Sequence, residues 1–428
     1  MKKILSYTIV LSLFSIVINA QISSSLNRIA DDLSFVRVSK TNSHYFELSN
    51  GSSFIPVGPN ICFPRYIIDE DSVFVNLETM FKNLSQNHGN YARIWLSHKF
   101  YEVENQKQGI YSDVQAKRID RAVALATKYH IRLKLCFEHF RVLYDNEKRF
   151  KGSVYFDKKI YDIKNGGSFA TIEDFFNTEK GREVYLNRVC FIVNRYKNNP
   201  TIFAWELWNE FNAIELPDKN KSDIDWTSDM LNRIHKLDNN HMVIQSLGSF
   251  HSISEREIYR SINSIPNNDY ANIHRYLNQT DELDVCRGPM DILASDAVKE
   301  LLSYGYNKPC MLGEAGAVEA NYAGASKLYL VDTLGILHHD LLFAPFFAGS
   351  AGSGQSWHWM EYIDRNNLWF QFGRFNEAIK GINPLVENFQ PSEFLIPECR
   401  AYTLTGKKTT LVWCRDAGSN WQTELIEN

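Results

Sequence analysis

Two glutamates stand at the ends of strongly apolar runs in this 428-residue chain. One run closes Trp205-Glu206-Leu207-Trp208-Asn209-Glu210, the other Met311-Leu312-Gly313-Glu314-Ala315-Gly316. A carboxyl group in that setting costs free energy to desolvate unless it is paired or used in a reaction. One such Glu reads most simply as half of a buried salt bridge. Two of them, Glu210 and Glu314, at equivalent strand ends could face each other across a cleft. One would then protonate a leaving oxygen while the other attacks the carbon it leaves, the division of labour that acetal cleavage needs.

Other run ends add polar groups to the same place. Arg93 lies in Tyr91-Ala92-Arg93-Ile94-Trp95-Leu96, Glu138-His139 closes a third run, and Ile273-His274-Arg275-Tyr276 closes a sixth. Trp357-His358-Trp359 comes late in the chain. Arg93 would hold a neighbouring carboxylate ionised, as an opposite charge does. His139 and Asn209 could bond a hydroxyl of a sugar, Tyr276 could touch the nucleophile, and Trp357 offers a flat floor for a ring. Separately, each is as well explained by a satisfied core residue. As a convergent set they describe a binding pocket. Metal and serine chemistry fit worse: there is no His-Glu-x-x-His, EF-hand loop or Gly-x-Ser-x-Gly elbow, and the adjacent His338-His339 point to different helix faces. No cofactor or metal is expected.

The elements that must position these groups alternate in kind. Strand-like runs are expected at 54–60, 91–97, 131–139, 202–210, 242–247, 270–274, 309–314 and 341–348. Helical patterns lie at 72–87, 113–129, 181–197, 226–237, 291–304 and 323–338. Strands separated by helices imply a parallel sheet with crossovers, and eight such units suit a closed (β/α)8 TIM barrel. An open doubly wound sheet is the alternative, but no Gly-x-Gly-x-x-Gly turn follows the first strand. The glycine-rich stretch 349–354 reads as a loop. Ahead of the barrel, 35–58 reads as a β-hairpin with an Asn50-Gly51 turn. After it, 391–428 reads as a short β-rich segment, like an incomplete β-sandwich; a lone hairpin is marginal, so it is expected either to pack on the barrel or to fray, and to be largely dispensable for activity.

Residues 1–20 combine Lys2-Lys3, a short apolar run and Ala20, which is the pattern of a signal peptide and of a secreted or periplasmic protein. The catalytic domain is then 21–390, with no membrane span in the mature chain. The seven cysteines are scattered without a Cys-x-x-Cys pair, which speaks against a disulfide scaffold or zinc ribbon; one bridge, Cys399 to Cys414, stays open. A formal net charge of −4 gives no basic surplus, so no nucleic-acid partner is expected.

The ordered set resembles clan A retaining glycoside hydrolases, and is most similar to glycoside hydrolase family 5, the cellulase and endo-β-mannanase family. Trp208-Asn209-Glu210 resembles the Asn-Glu acid/base motif and Gly313-Glu314 the strand-seven nucleophile. Arg93, His274-x-Tyr276 and Trp357 match the strand-two, strand-six and strand-eight positions, and the likeness runs from about Phe35 to Pro384. It implies a (β/α)8 fold, retention of configuration, no metal and a β-linked polysaccharide or oligosaccharide as substrate. The hairpin and Arg93-Ile94-Trp95 look most like the mannanase branch. Strand three departs from the pattern, ending Glu138-His139-Phe140 without the usual Asn. An exo-acting β-mannosidase or β-glucosidase is the alternative within the fold, and a catalytically silent carbohydrate-binding barrel the alternative outside catalysis.

Overall fold

The computed structural model describes residues 29–139, 143, 159–214 and 219–427; the expected signal peptide lies outside them. The chain first makes a three-stranded antiparallel sheet, β1 (Val36–Val38), β2 (Phe46–Leu48) and β3 (Ser53–Phe54). Gly51, at φ +94, supplies the left-handed residue that the turn between β2 and β3 needs. Phe46 sets its ring against Phe203 and Tyr270, 5.2 and 5.5 Å away, so this sheet plugs the N-terminal end of the barrel.

Eight parallel staves then close on themselves. The central four, β4 (Tyr91–Trp95), β5 (Arg132–Glu138), β6 (Ile202–Trp208) and β7 (Met242–Ile244), form one continuous ladder; β8 (Ala271–Leu277) and β9 (Cys310–Ala317) form another. Phe250 N–H donates to His274 O at 2.8 Å and Asp269 N–H to Val243 O at 3.2 Å, which joins the two ladders. Trp357 N–H donates to Ala315 O at 2.7 Å, bringing in an eighth stave at 351–357. Asn60 N–H donates to Ser356 O at 3.0 Å and Ile61 N–H to Arg93 O at 3.1 Å, so the first stave, 57–62, closes the ring. All of β4, β5, β6, β8 and β9 is buried, because each strand is covered by side chains inside and helices outside.

Helices return the chain after each stave: α1 (Glu70–Gln86), α2 (Asp113–Lys128), α3 (Ile172–Asn177) with α4 (Glu179–Tyr196), α5 (Lys219–Leu237), α6 (Arg256–Ser264), α7 (Met290–Ser303), α8 (Ile336–Phe347) and α9 (Phe370–Ala378). Local sequence sets their starts. Asp69 and Ser72 form a capping box on α1, Ser112 caps α2 and Thr178 caps α4. No helix among the described residues is long and apolar enough to cross a membrane.

Two expectations fail at the end of the barrel. The apolar run 341–348, expected as the eighth strand, lies almost wholly in α8, and the expected helix at 323–338 is mostly loop and turn, with one 3-10 turn (Lys327–Leu330) before α8 begins at Ile336. A helix covered on every side is apolar all round, and periodicity cannot tell it from a buried strand. The true stave holds the glycines taken for a loop. A Cβ on Gly352 would come within 2.5 Å of Pro56 O and one on Gly354 within 2.1 Å of Leu341 O, so the backbone packs too closely for side chains.

The last segment is a single antiparallel sheet, β10 (Gln390–Ile396), β11 (Cys399–Thr405) and β12 (Thr410–Asp416). It lies on α7 and α8. Arg400 grips Asp291 of α7 at 2.8 and 3.0 Å, and Arg415 stands 3.1 Å from Asp340 of α8. Trp413 packs on Phe343 with ring centroids 5.7 Å apart. All seven cysteines are unpaired.

Candidate active site

Side chains from the first stave, from β6 and its end, and from β9 meet at Arg93, whose guanidinium is wholly buried. It donates to Glu314 Oε2 at 2.6 Å, to both oxygens of Glu206 at 2.8 and 2.6 Å, to Asn209 Oδ1 at 2.5 Å and to Asn60 Oδ1 at 3.3 Å. Strand alternation explains the set. Lys134 and Cys136 of β5, two residues apart and so on one face, pair with Arg93 of β4 and with Glu206 of β6, so Arg93, Lys134 and Glu206 all face the barrel interior.

Above that layer stands the carboxylate pair. Tyr276 of β8 donates its hydroxyl to Glu314 Oε1 at 2.5 Å. His274, two residues earlier and on the same face, places Nδ1 2.9 Å from Glu210 Oε1 and 3.7 Å from Glu314 Oε2. Asn272 donates to its Nε2 at 3.2 Å, which leaves the proton on Nδ1, facing Glu210. One ligand atom from each of Glu210, His274 and Glu314 lies within 4.8 Å of the others. Glu210 itself has φ +52, a left-handed conformation that turns the chain sharply out of β6. Its N–H donates to Ser246 Oγ at 3.2 Å, which holds the turn.

Electrostatics separate the two acids. Burial pushes Glu210 far above the ordinary carboxylate range, and the neighbouring Glu314 charge pushes it further. Burial also raises Glu314, but Arg93 and the Tyr276 hydroxyl oppose the rise. Glu314 is therefore the member that ionises first, and Glu210 the one that keeps a proton. Burial and then the Arg93 charge keep His274 neutral. The triad is compact enough to hold a cation, yet its lone pairs are engaged: both oxygens of Glu314 accept protein hydrogen bonds and the Arg93 charge is already there. That donor set suits a reacting carboxylate better than a metal.

The remaining expected residues stand at the same end of the barrel. Asn209 is buried, and its Nδ2 has no hydrogen-bond partner among the described residues. His139 is held by Ser97 Oγ at Nδ1 and packs against Trp95 at 4.7 Å. Trp357 is half-buried and lies 5.0 Å from Trp95 and 5.2 Å from Trp359. Sequence reading missed Glu206, Lys134, Asn60 and Ser246. For Glu206 a signal existed, since it is a second ionisable group inside the same apolar run, four positions before Glu210. Nothing in the local sequence marks Asn60 or Ser246.

Comparison with known proteins gives a consistent result. A family model described as GH family 5 beta-mannosidase-like matches residues 103–286. The chain is 25% identical over 296 residues to mannan endo-1,4-beta-mannosidase 7 of Arabidopsis thaliana, covering 62% of this chain and 65% of that one. It is 26% identical over 259 residues to mannan endo-1,4-beta-mannosidase 4 of Solanum lycopersicum, covering 56% and 62%. The chain thus spans somewhat under two thirds of these relatives. Among solved structures, the endo-beta-1,4-mannanase of Thermotoga petrophila superposes with a TM-score of 0.54 at 17% identity, over 86% of this chain and 92% of that one. The exo-beta-1,4-mannosidase Op5Man5 from Opitutaceae bacterium strain TAV5 superposes with 0.54 at 16%, over 78% and 61%. The fold is that of these barrels.

Proposed function

We infer, from a chain whose resemblance to glycoside hydrolase family 5 the family model and the relatives bear out, that it hydrolyses β-1,4-linked mannan or manno-oligosaccharides with retention of configuration. The observation that carries the mechanism is the spacing of Glu210 and Glu314. Retaining enzymes hold their carboxyl groups about 5–5.5 Å apart, inverting ones about 6.5–9.5 Å, and these two offer oxygens within 4.8 Å. At the retaining spacing no water fits between Glu314 and the anomeric carbon, so Glu314 attacks that carbon itself.

The steps follow from the hydrogen bonds. Arg93 and Tyr276 fix the Glu314 carboxylate. His274 donates to Oε1 of Glu210, leaving Oε2 to carry the proton that goes to the departing oxygen. Once Glu314 is esterified its charge is gone, and the main electrostatic reason for Glu210 to hold a proton goes with it. Glu210 then takes a proton from water and the ester is hydrolysed. Asn209 Nδ2 is a buried donor without a hydrogen-bond partner among the described residues, and a sugar hydroxyl satisfies it. Trp357 forms the ring floor.

The test is hydrolysis of β-mannan and manno-oligosaccharides, with the first-formed anomer read by NMR. A β product is expected, and an α product would sink the assignment. The family model's β-mannosidase-like description keeps exo action as a second reading; single mannose release from chain ends, against mixed oligosaccharides, separates the two. Binding without hydrolysis would point to a silent carbohydrate-binding barrel. Residues 1–20 are proposed to direct export, and N-terminal sequencing of mature protein should then begin at Gln21.

A further inference from the structure

Beneath the reacting pair lies a second ionic layer that the mechanism does not use. Arg93 of β4, Lys134 of β5 and Glu206 of β6 are completely buried. A guanidinium has five N–H donors, and all five of Arg93 are committed: two to Glu206, one each to Asn209 and Asn60, and only one to Glu314. Lys134 is the odd member. Its Nζ stands 3.5 Å from Glu206 Oε2, and it has no hydrogen-bond partner among the described residues. A buried ammonium without hydrogen bonds is expensive, so packing alone does not explain it. Charge does. Glu206 and Glu314 bring two negative charges and Arg93 one positive; burial lowers Lys134, but the Glu206 charge 3.5 Å away opposes that, and its ammonium completes the balance. The other titratable groups facing the layer carry none: burial holds Cys62, Cys136, Tyr91, Tyr270, Tyr276 and His274 neutral, and burial with the Glu314 charge keeps the proton on Glu210.

We propose that Glu206 and Lys134 are positioning residues for the nucleophile: Glu206 locks the Arg93 fork so that a single N–H reaches Glu314, and Lys134 balances Glu206 so that the Arg93 charge is left for Glu314. Without Glu206 the fork would be free to grip Glu314 with two parallel bonds. That geometry is the strong carboxylate clamp, and it would blunt the very oxygen that must attack. Without Lys134, Glu206 and Glu314 would compete for one cation. The inference rests on the proposed retaining hydrolysis.

The experiment is the pH dependence of kcat/KM for an aryl β-mannoside or β-manno-oligoside, whose acid limb reports ionisation of the nucleophile in the free enzyme. Wild type is measured first, and hydrolysis there establishes the functional reading separately. Lys134→Met, nearly volume-neutral, removes a positive charge and should move the acid limb to higher pH by about half a unit or more. Glu206→Gln removes a negative charge and should move it to lower pH by a similar amount, with the plateau reduced about a hundredfold as the fork loosens. The double variant should fall between the two. If Glu206→Gln does not fold, the Lys134→Met shift alone decides. Loss of stability in both variants with an unmoved acid limb, or shifts in the same direction, would overturn the proposal; an inactive wild type would instead remove the functional reading on which it rests.

Discussion

At the residue scale the two glutamates have separable duties, and mutants should separate them. Glu314→Ala should abolish turnover of every glycoside, because it removes the carboxylate that forms the ester. Glu210→Ala should lower turnover by about 10²–10⁴-fold for substrates with poor leaving groups. With an activated leaving group the first step needs no proton, so that step should survive, and added azide should restore the second. A burst of phenol followed by azide-dependent turnover is the signature to look for. Trp357 is the other discriminating position. Being half-buried among Trp95, Trp359 and Phe63, its change to Ala should reduce kcat/KM about a hundredfold while costing less than the 3–5 kcal/mol typical of a fully buried aromatic. A thermal melt showing the full core cost would make it a packing residue instead. The expected residues were legible because desolvating a charge at an apolar strand end demands a reason. Lys134 was not, because inside Arg132-Leu133-Lys134-Leu135 it reads as the solvent-facing half of an alternating strand.

At the scale of elements, legibility followed covering. α1 and α2 present one apolar face and carry clear caps, and sequence placed them within two residues of 70–86 and 113–128. α8 failed because it is enclosed by the barrel on one side and by the C-terminal sheet on the other, which left no polar face to count. The eighth stave failed for the converse reason: its glycines are there for close approach, and that is a tertiary fact. Gly352→Ala and Gly354→Ala should therefore destabilise by about 1–3 kcal/mol or more, since the opposing atoms are backbone and cannot swing aside. Denaturant midpoints measure this. The C-terminal sheet revises a sequence-based expectation in the same way. Removing 390–428 strips Arg400 from buried Asp291, and an orphaned buried charge costs about 3–5 kcal/mol. Truncated protein should be poorly soluble or melt many degrees lower, whereas unchanged stability and activity would show the sheet to be an ornament.

At the scale of the whole molecule, the barrel holds carboxyl groups of opposite habit, and their sum fixes how stability responds to pH. Burial raises Glu210, Glu314 and Asp340 above their ordinary values. From the ordinary carboxylate range upward, the unfolded chain has released these protons while the native state still binds them. Stability rises with pH only where the unfolded state binds more protons, so through this window it falls as pH rises. Glu206 behaves oppositely. Burial alone would raise it, but Arg93, Lys134 and the hydrogen bonds from Arg93 and Ser246 outweigh that and bring it from 4.5 to about 2. Its contribution is present above 4.5 and is lost as pH falls towards 2. The melting temperature should thus peak on the acid side of neutrality, declining towards pH 8 as the raised acids are forced to ionise and declining below 4.5 as the Arg93 layer comes apart. Glu210→Gln isolates the active-site share. The amide cannot ionise, so the variant should gain stability at pH 7–8 relative to wild type, gain nothing near pH 4, and show a shallower alkaline decline. Melts of both proteins across pH 4–8 measure the difference. Parallel curves would mean that Glu210 is not a source of the decline, and that the proton it needs for catalysis is not held there by the fold.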